Sequence, residues 1–132
     1  MDFGILIDKA ISARELSYSP YSGFKVGAAL LAASGKIYTG CNIENASYSP
    51  TICAERTAFA KAVSEGERAF TAIAVAGWGQ ERGFAYPCGV CRQVMIEFCE
   101  PSAFTIIVSD GAEYREYTLK ELLPYSFGPS SL

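Results

Sequence analysis

The stretch Phe24-Lys25-Val26-Gly27-Ala28-Ala29-Leu30-Leu31-Ala32-Ala33-Ser34-Gly35-Lys36-Ile37-Tyr38-Thr39-Gly40-Cys41-Asn42 decides the fold. Its first part is almost wholly apolar and of strand length, which predicts a strand buried on both faces. Ser34-Gly35 is a turn signal and Lys36–Asn42 reads as the returning strand, so the stretch is a hairpin. Upstream, Ile5, Leu6, Ala10, Ala13 and Leu16 recur at helical spacing behind a capping Asp2, and Ser19-Pro20 closes that helix near Ser17. Downstream, Asn45–Thr51 is irregular and polar. Good helix formers then run from about Ile52 to Gly66. Phe70–Ala76 predicts a buried strand, and Gly77–Pro87 a glycine-rich loop that holds Trp78. Cys88–Cys99 predicts a helix closed by Pro101, and Phe104–Ser109 a second buried strand. After the turn at Asp110-Gly111, Glu113–Thr118 reads as a more exposed strand and Leu119–Leu123 as a short helix. The order α-β-β-α-β-α-β-β-α predicts one mixed sheet with helices packed on it, an α/β domain spanning residues 1–132.

Composition narrows the function. Hydrophobic residues make up 50% of the 132 and charged residues 19%, a balance that excludes a disordered or low-complexity chain. The formal net charge is −3, so no basic excess is available to grip a phosphate backbone, and small molecules are the expected partners rather than nucleic acid. The longest apolar runs are strand-length, well short of the roughly 18–20 residues of a membrane span. An acid at position 2 argues against a signal peptide. These features predict a cytoplasmic protein with no membrane partner. Five cysteines are an odd number, and a reducing compartment disfavours disulfides. The chain has no histidine, which removes Ser-His-Asp and Cys-His catalysis and every imidazole metal ligand.

Three of those cysteines share a chemistry. Cys88 and Cys91 form a Cys-x-x-Cys at a helix start, where unpaired N–H groups and the helix dipole favour thiolate. Cys53 heads another helix, with Glu55 two residues on. Taken alone, a Cys-x-x-Cys also fits a redox pair, and a closed structural zinc site needs a fourth ligand. Cys99 lies about 12 Å further along its helix than Cys91 and cannot reach the same ion. Cys41 falls on a strand, where a small buried residue is the ordinary reading. Cys53, Cys88 and Cys91 thus leave one coordination position open, the mark of catalytic zinc.

The segments Phe24–Leu30, Gly40–Ala46, Cys53-Ala54-Glu55-Arg56-Thr57, Pro87-Cys88-Gly89-Val90-Cys91-Arg92-Gln93, Leu122-Leu123-Pro124 and Phe127-Gly128-Pro129 resemble, in order and over nearly the whole chain, the small homotetrameric zinc-dependent cytidine deaminases. Zinc nucleobase deaminases share a Cys-or-His-x-Glu and a later Pro-Cys-x-x-Cys. The resemblance implies a three-layer α/β/α fold with a single mixed five-stranded sheet. It also implies one Zn²⁺ per chain and hydrolysis of cytidine and 2′-deoxycytidine to the uridines, with release of ammonia, in pyrimidine salvage. Zinc-activated water attacks C4 in such a reaction, and Glu55 carries protons from that water to N3 and then to the leaving amine. Arg56, one helical turn from Cys53, would donate to the ligand sulfurs and offset their charge; Arg92 adjoins the second ligand pair.

Further roles follow from the same resemblance. Asn42 and Glu44 flank Ile43, so on a strand they share a face; alone they fit a solvated strand edge, and by resemblance they bind the ribose 3′-hydroxyl. Phe24, otherwise plain core, packs on the pyrimidine, and the Ala54 N–H meets the base carbonyl. Ala46 and Tyr48 touch the 5′-hydroxyl across a subunit boundary, and Phe127 reaches into a neighbour's site. A blasticidin S-type deaminase uses the same metal motif; the Asn42 and Glu44 pair with Phe24 favours a nucleoside. A zinc-stabilised binding module has no use for Glu55 beside an open coordination position.

Overall fold

The structure is a computed structural model and describes residues 3–132. The elements are α1 (Gly4–Arg14), β1 (Lys25–Ala32), β2 (Ile37–Cys41), α2 (Ala54–Ser64), β3 (Phe70–Trp78), α3 (Gly89–Phe98), β4 (Thr105–Ser109), β5 (Tyr114–Thr118) and α4 (Leu119–Leu122), followed by a 3₁₀ turn at Pro129–Ser131. The strands form one five-stranded sheet in the order β2-β1-β3-β4-β5. Only β3 and β4 run parallel, joined through α3; the other neighbours are antiparallel.

Alternation along the strands builds two cores. Ala28, Leu30, Ile73, Val75, Ile106 and Val108 face α2 and α3, whereas Ala29, Ala72, Ala74, Ala76 and Ile107 face α1. The sheet is therefore covered on both sides, as the three-layer expectation required. Two glycines let helices lie close to the sheet. A Cβ at Gly27 would meet the backbone of Ala10 and Arg14 in α1. One at Gly40 would come within 2.5 Å of Ala54 O and 2.6 Å of Ala58 N in α2. Thr57 Oγ1 donates to Cys41 O at 3.0 Å and Lys61 Nζ to Thr39 O at 2.5 Å, which bonds α2 to the edge strand.

Several sequence expectations shift. The expected Asp2 cap lies outside the described residues; Phe3 occupies the N-cap, without a side-chain hydrogen bond. Trp78 belongs to β3 rather than to the following loop. The buried Arg14 holds it there, stacking its guanidinium 4.1 Å from the indole centre and donating through Nη2 to Trp78 O at 2.8 Å. Cys41 is half-exposed, not buried, because β2 is an edge strand. Strand β2 stops at Cys41, and Asn42–Glu44 continues as an irregular segment in which Ile43 bridges Tyr18 and Ile52.

Candidate active site and metal centre

Two helix N-termini converge on one side of the sheet. Cys53 is the N-cap of α2 and Cys88 the N-cap of α3; the Cys88 sulfur accepts from Cys91 N at 3.5 Å. The sulfurs of Cys53 and Cys88 are 3.8 Å apart and those of Cys88 and Cys91 3.5 Å, and all three lie within 4.8 Å of one another. A tetrahedral Zn²⁺ with Zn–S bonds of about 2.3 Å sets its sulfurs about 3.8 Å apart, so this donor set fits the ion. Soft thiolates also select zinc over hard cations. The cluster holds three ligating residues, and no fourth joins them among the described residues. The Cys-x-x-Cys and the distant Cys53 thus do meet, while Cys99 sits in the core beyond the end of α3.

The surroundings drive the acidities of Cys53 and Cys91 in opposite directions. Arg56 Nη2 donates to Cys53 Sγ at 3.5 Å. Cys53 is pulled down to about 5, first by a hydrogen bond from Cys91 and, against the cost of burial, by Arg56 and Cys88. The Cys91 thiol is pushed up because it donates that bond, is buried, and faces the charges of Glu55 and Cys53. Glu55 is only 4% exposed, and burial raises its carboxyl to about 7; the Cys53 thiolate adds to the rise and Arg56 opposes it. A carboxyl balanced between its two protonation states near neutrality is suited to carry protons in both directions.

Beside this cluster opens a cavity of about 250 Å³, at the small end of ligand sites. Its lining includes Cys53, Ala54, Glu55 and Cys88, with Phe24, Asn42, Glu44, Ala85 and Tyr86. Phe24 is 43% exposed and offers its ring to the cavity. Asn42 is largely engaged already. Its oxygen accepts from Ser17 Oγ at 2.5 Å and Val26 N at 2.9 Å, and its nitrogen donates to Phe24 O at 2.7 Å. One amide hydrogen is left for a ligand. Glu44 accepts from the N–H groups of Tyr21 and Ser22 at 3.0 and 3.1 Å and from the Ser22 hydroxyl, which foremost holds its carboxyl below the usual range.

The remaining candidates lie apart from this cavity. Tyr48 lines a neighbouring hollow with Tyr21 and Glu44, and Ala46 is exposed on the loop beside it. Phe127 is 62% exposed and does not line its own chain's cavity; Gln93 Nε2 donates to its carbonyl at 2.9 Å. Arg92 spans Pro87 O at 2.7 Å and Leu122 O at 2.6 Å, bracing the loop before Cys88 against α4. Sequence reading passed over Ser22, a turn residue whose contact with Glu44 has no local signal. It also passed over Tyr86, whose place beside Pro87-Cys88 was the available clue.

Known proteins agree with this geometry. The family model for the cytidine and deoxycytidylate deaminase zinc-binding region matches residues 5–107. The chain is 51% identical to a cytidine deaminase of Sporosarcina psychrophila over 132 residues, covering 100% of this chain and 96% of that protein. It is 50% identical to one of Halalkalibacterium halodurans, covering 96% and 95%. Its fold is similar to a crystal structure of cytidine deaminase from Burkholderia pseudomallei, with a TM-score of 0.87 and 45% identity over 96% of this chain and 100% of that one. The cytidine deaminase from Mycobacterium tuberculosis gives 0.82 and 36%, over 97% and 98%. With three sulfurs spaced for zinc and a buried carboxyl beside them, the chain belongs to the cytidine and deoxycytidylate deaminase family of zinc-dependent enzymes.

Proposed function

We propose that residues 1–132 act as one cytoplasmic deaminase unit. It hydrolyses the exocyclic C4–N bond of cytidine and 2′-deoxycytidine and releases ammonia and the uridines, a reaction of pyrimidine salvage. The observation that carries this is Glu55, buried beside the three-sulfur cluster in the lining of a small cavity. Zinc, when bound there, supplies a Lewis acid that makes water nucleophilic at neutral pH. Glu55 would accept one proton as water adds to C4 and deliver it to N3, then take the remaining proton from the new C4 hydroxyl and pass it to the amine, which leaves as ammonia while the C4 carbonyl forms. The Ala54 N–H meets the base carbonyl, and Phe24 packs on the ring. Glu44, ionised, accepts from a ribose hydroxyl that the free Asn42 amide hydrogen donates to. Val26 and Val75 add apolar surface to the lining.

The same reading makes the enzyme a homotetramer with shared sites, Ala46, Tyr48 and Phe127 acting across subunit boundaries. What supports it is the exposed Phe127, tethered through its carbonyl, and an apolar cleft of about 290 Å³ lined by Ile52, Phe59, Val63, Val94 and Phe98. The buried Arg56 Nε beside that cleft has no partner among the described residues. Ammonia release by the zinc-loaded protein is tested on cytidine, 2′-deoxycytidine, blasticidin S and a cytosine oligonucleotide. Turnover of the two nucleosides is expected; turnover of the antibiotic or the oligonucleotide alone would overturn the assignment.

A further inference from the structure

Tyr86 is fixed in place by residues far from it in sequence. Its hydroxyl lies 2.9 Å from that of Tyr117 and accepts from Arg115 Nη1 at 3.3 Å. The two tyrosine rings meet edge to face with centroids 5.6 Å apart. Arg115 also lays its guanidinium 4.1 Å over the Phe84 ring, two residues before Tyr86. Arg115 and Tyr117 are two apart on β5 and so share one face of that edge strand. The next residue, Pro87, is fully buried and leads into Cys88. The segment from Phe84 to Cys88 is thereby clamped to β5, and Tyr86 becomes a fixed part of the cavity lining, next to Ala85 and Cys88.

The proposed reaction determines which substrate atom meets that wall. The reacting C4 must lie where the three sulfurs converge. Its ring neighbours are N3 and C5. N3 has to face Glu55, which hands it a proton, so C5 points to the opposite side of C4. Two runs of chain in the lining carry ligands of the cluster: Cys53–Glu55 at the start of α2, and Ala85, Tyr86 and Cys88. With N3 toward the first, C5 falls toward the second. We propose that Tyr86 is a specificity-determining residue that limits what the pyrimidine can carry at position 5, and that Tyr117 and Arg115 are positioning residues that hold it there. This rests on the nucleoside reading above.

The test compares kcat/KM for cytidine with that for 5-methylcytidine and 5-bromocytidine, in the zinc-loaded parent and in Tyr86→Ala, Tyr86→Ser and Tyr117→Phe. Calorimetric affinities for uridine and 5-methyluridine give a readout independent of turnover. A methyl-sized group against a closely fitting wall is worth about 10–200-fold in discrimination. Tyr86→Ala and Tyr86→Ser should therefore raise the ratio of 5-substituted to unsubstituted kcat/KM at least about tenfold. Tyr117→Phe, which keeps the ring and removes the anchoring hydroxyl, should move the ratio the same way by less. The product affinities should follow. A ratio within twofold of the parent in both Tyr86 variants, with cytidine still turned over, overturns the role of Tyr86 alone. A parent that turns over no cytidine at all overturns the nucleoside reading and this inference with it.

Discussion

Glu55 and the cysteines show how strongly position alters the chemistry of one side chain. The carboxyl of Glu55 is raised to about 7 mainly because burial withdraws water from it. Glu55→Gln keeps shape and hydrogen-bonding reach and removes the proton acceptor. The zinc content, read by atomic absorption, should stay at one per chain. Ammonia release from cytidine should fall by at least the roughly 10²–10⁴-fold that a general acid–base group contributes. A variant within tenfold of the parent would refute the shuttle. Among the thiols, only Cys53, Cys88 and Cys91 share a metal-sized space, so X-ray absorption should report three sulfurs and one lighter neighbour. Cys41→Ala and Cys99→Ala should leave the zinc in place. Burial pushes the Cys99 thiol up to about 12 from an ordinary value of 9.0. It stays protonated in the folded chain while the unfolded chain ionises it. Its contribution to stability is therefore complete below about pH 9 and declines as pH rises toward 12. Iodoacetamide mapping at pH 8.5 should label Cys99 only after unfolding.

At the scale of elements, the site depends on how closely α2 approaches β2. Gly40 makes that approach possible, and the bonds from Thr57 and Lys61 hold it. Gly40→Ala drives a methyl into the backbone at Ala54 and Ala58, the turn that carries Cys53 and Glu55. Overpacking of this kind costs about 1–3 kcal/mol. A lower melting temperature and weaker zinc retention against a chelator are both expected. Gly27→Ala makes the equivalent clash against α1, in the opposite layer. Its melting temperature should fall as well, while the folded fraction keeps its zinc. Loss of zinc affinity in both variants to the same degree would show that the two layers are not separable.

For the whole molecule, the shared-site reading makes assembly a condition for activity. Phe127→Ala should lower kcat/KM for cytidine by about 5- to 150-fold, the value of one aromatic stack of about 1–3 kcal/mol, with zinc content unchanged. Mixing Phe127→Ala chains with Glu55→Gln chains should restore some activity, because a site with intact Glu55 can then receive Phe127 from a neighbour. Light scattering should report four chains, a number compatible with closed two-fold symmetry. A monomer fully active at nanomolar concentration would overturn the shared site and leave the family assignment standing.

The sequence by itself determined the order of elements, the mixed sheet and the Cys-x-x-Cys pair, because periodicity, turn residues and that spacing are local signals, whereas Cys53, 35 residues from Cys88, meets the pair only through the fold. It also marked Glu55, through its fixed distance from Cys53. Tertiary structure decided what depends on contacts between distant segments. Trp78 extends β3 into a glycine-rich stretch, since nothing nearby in sequence announces that Arg14, 64 residues away at the end of α1, bonds its carbonyl and stacks on its ring. Asn42 and Glu44 looked like a free polar pair, yet Ser17, Val26, Phe24, Tyr21 and Ser22 take up most of their hydrogen-bonding capacity. Cys41 was expected inside and lies at the sheet edge, because strand order is a property of pairing and not of composition. Tyr86 enters the cavity lining only because β5 folds back beside the loop that precedes Cys88 and offers Tyr117 and Arg115 to its hydroxyl.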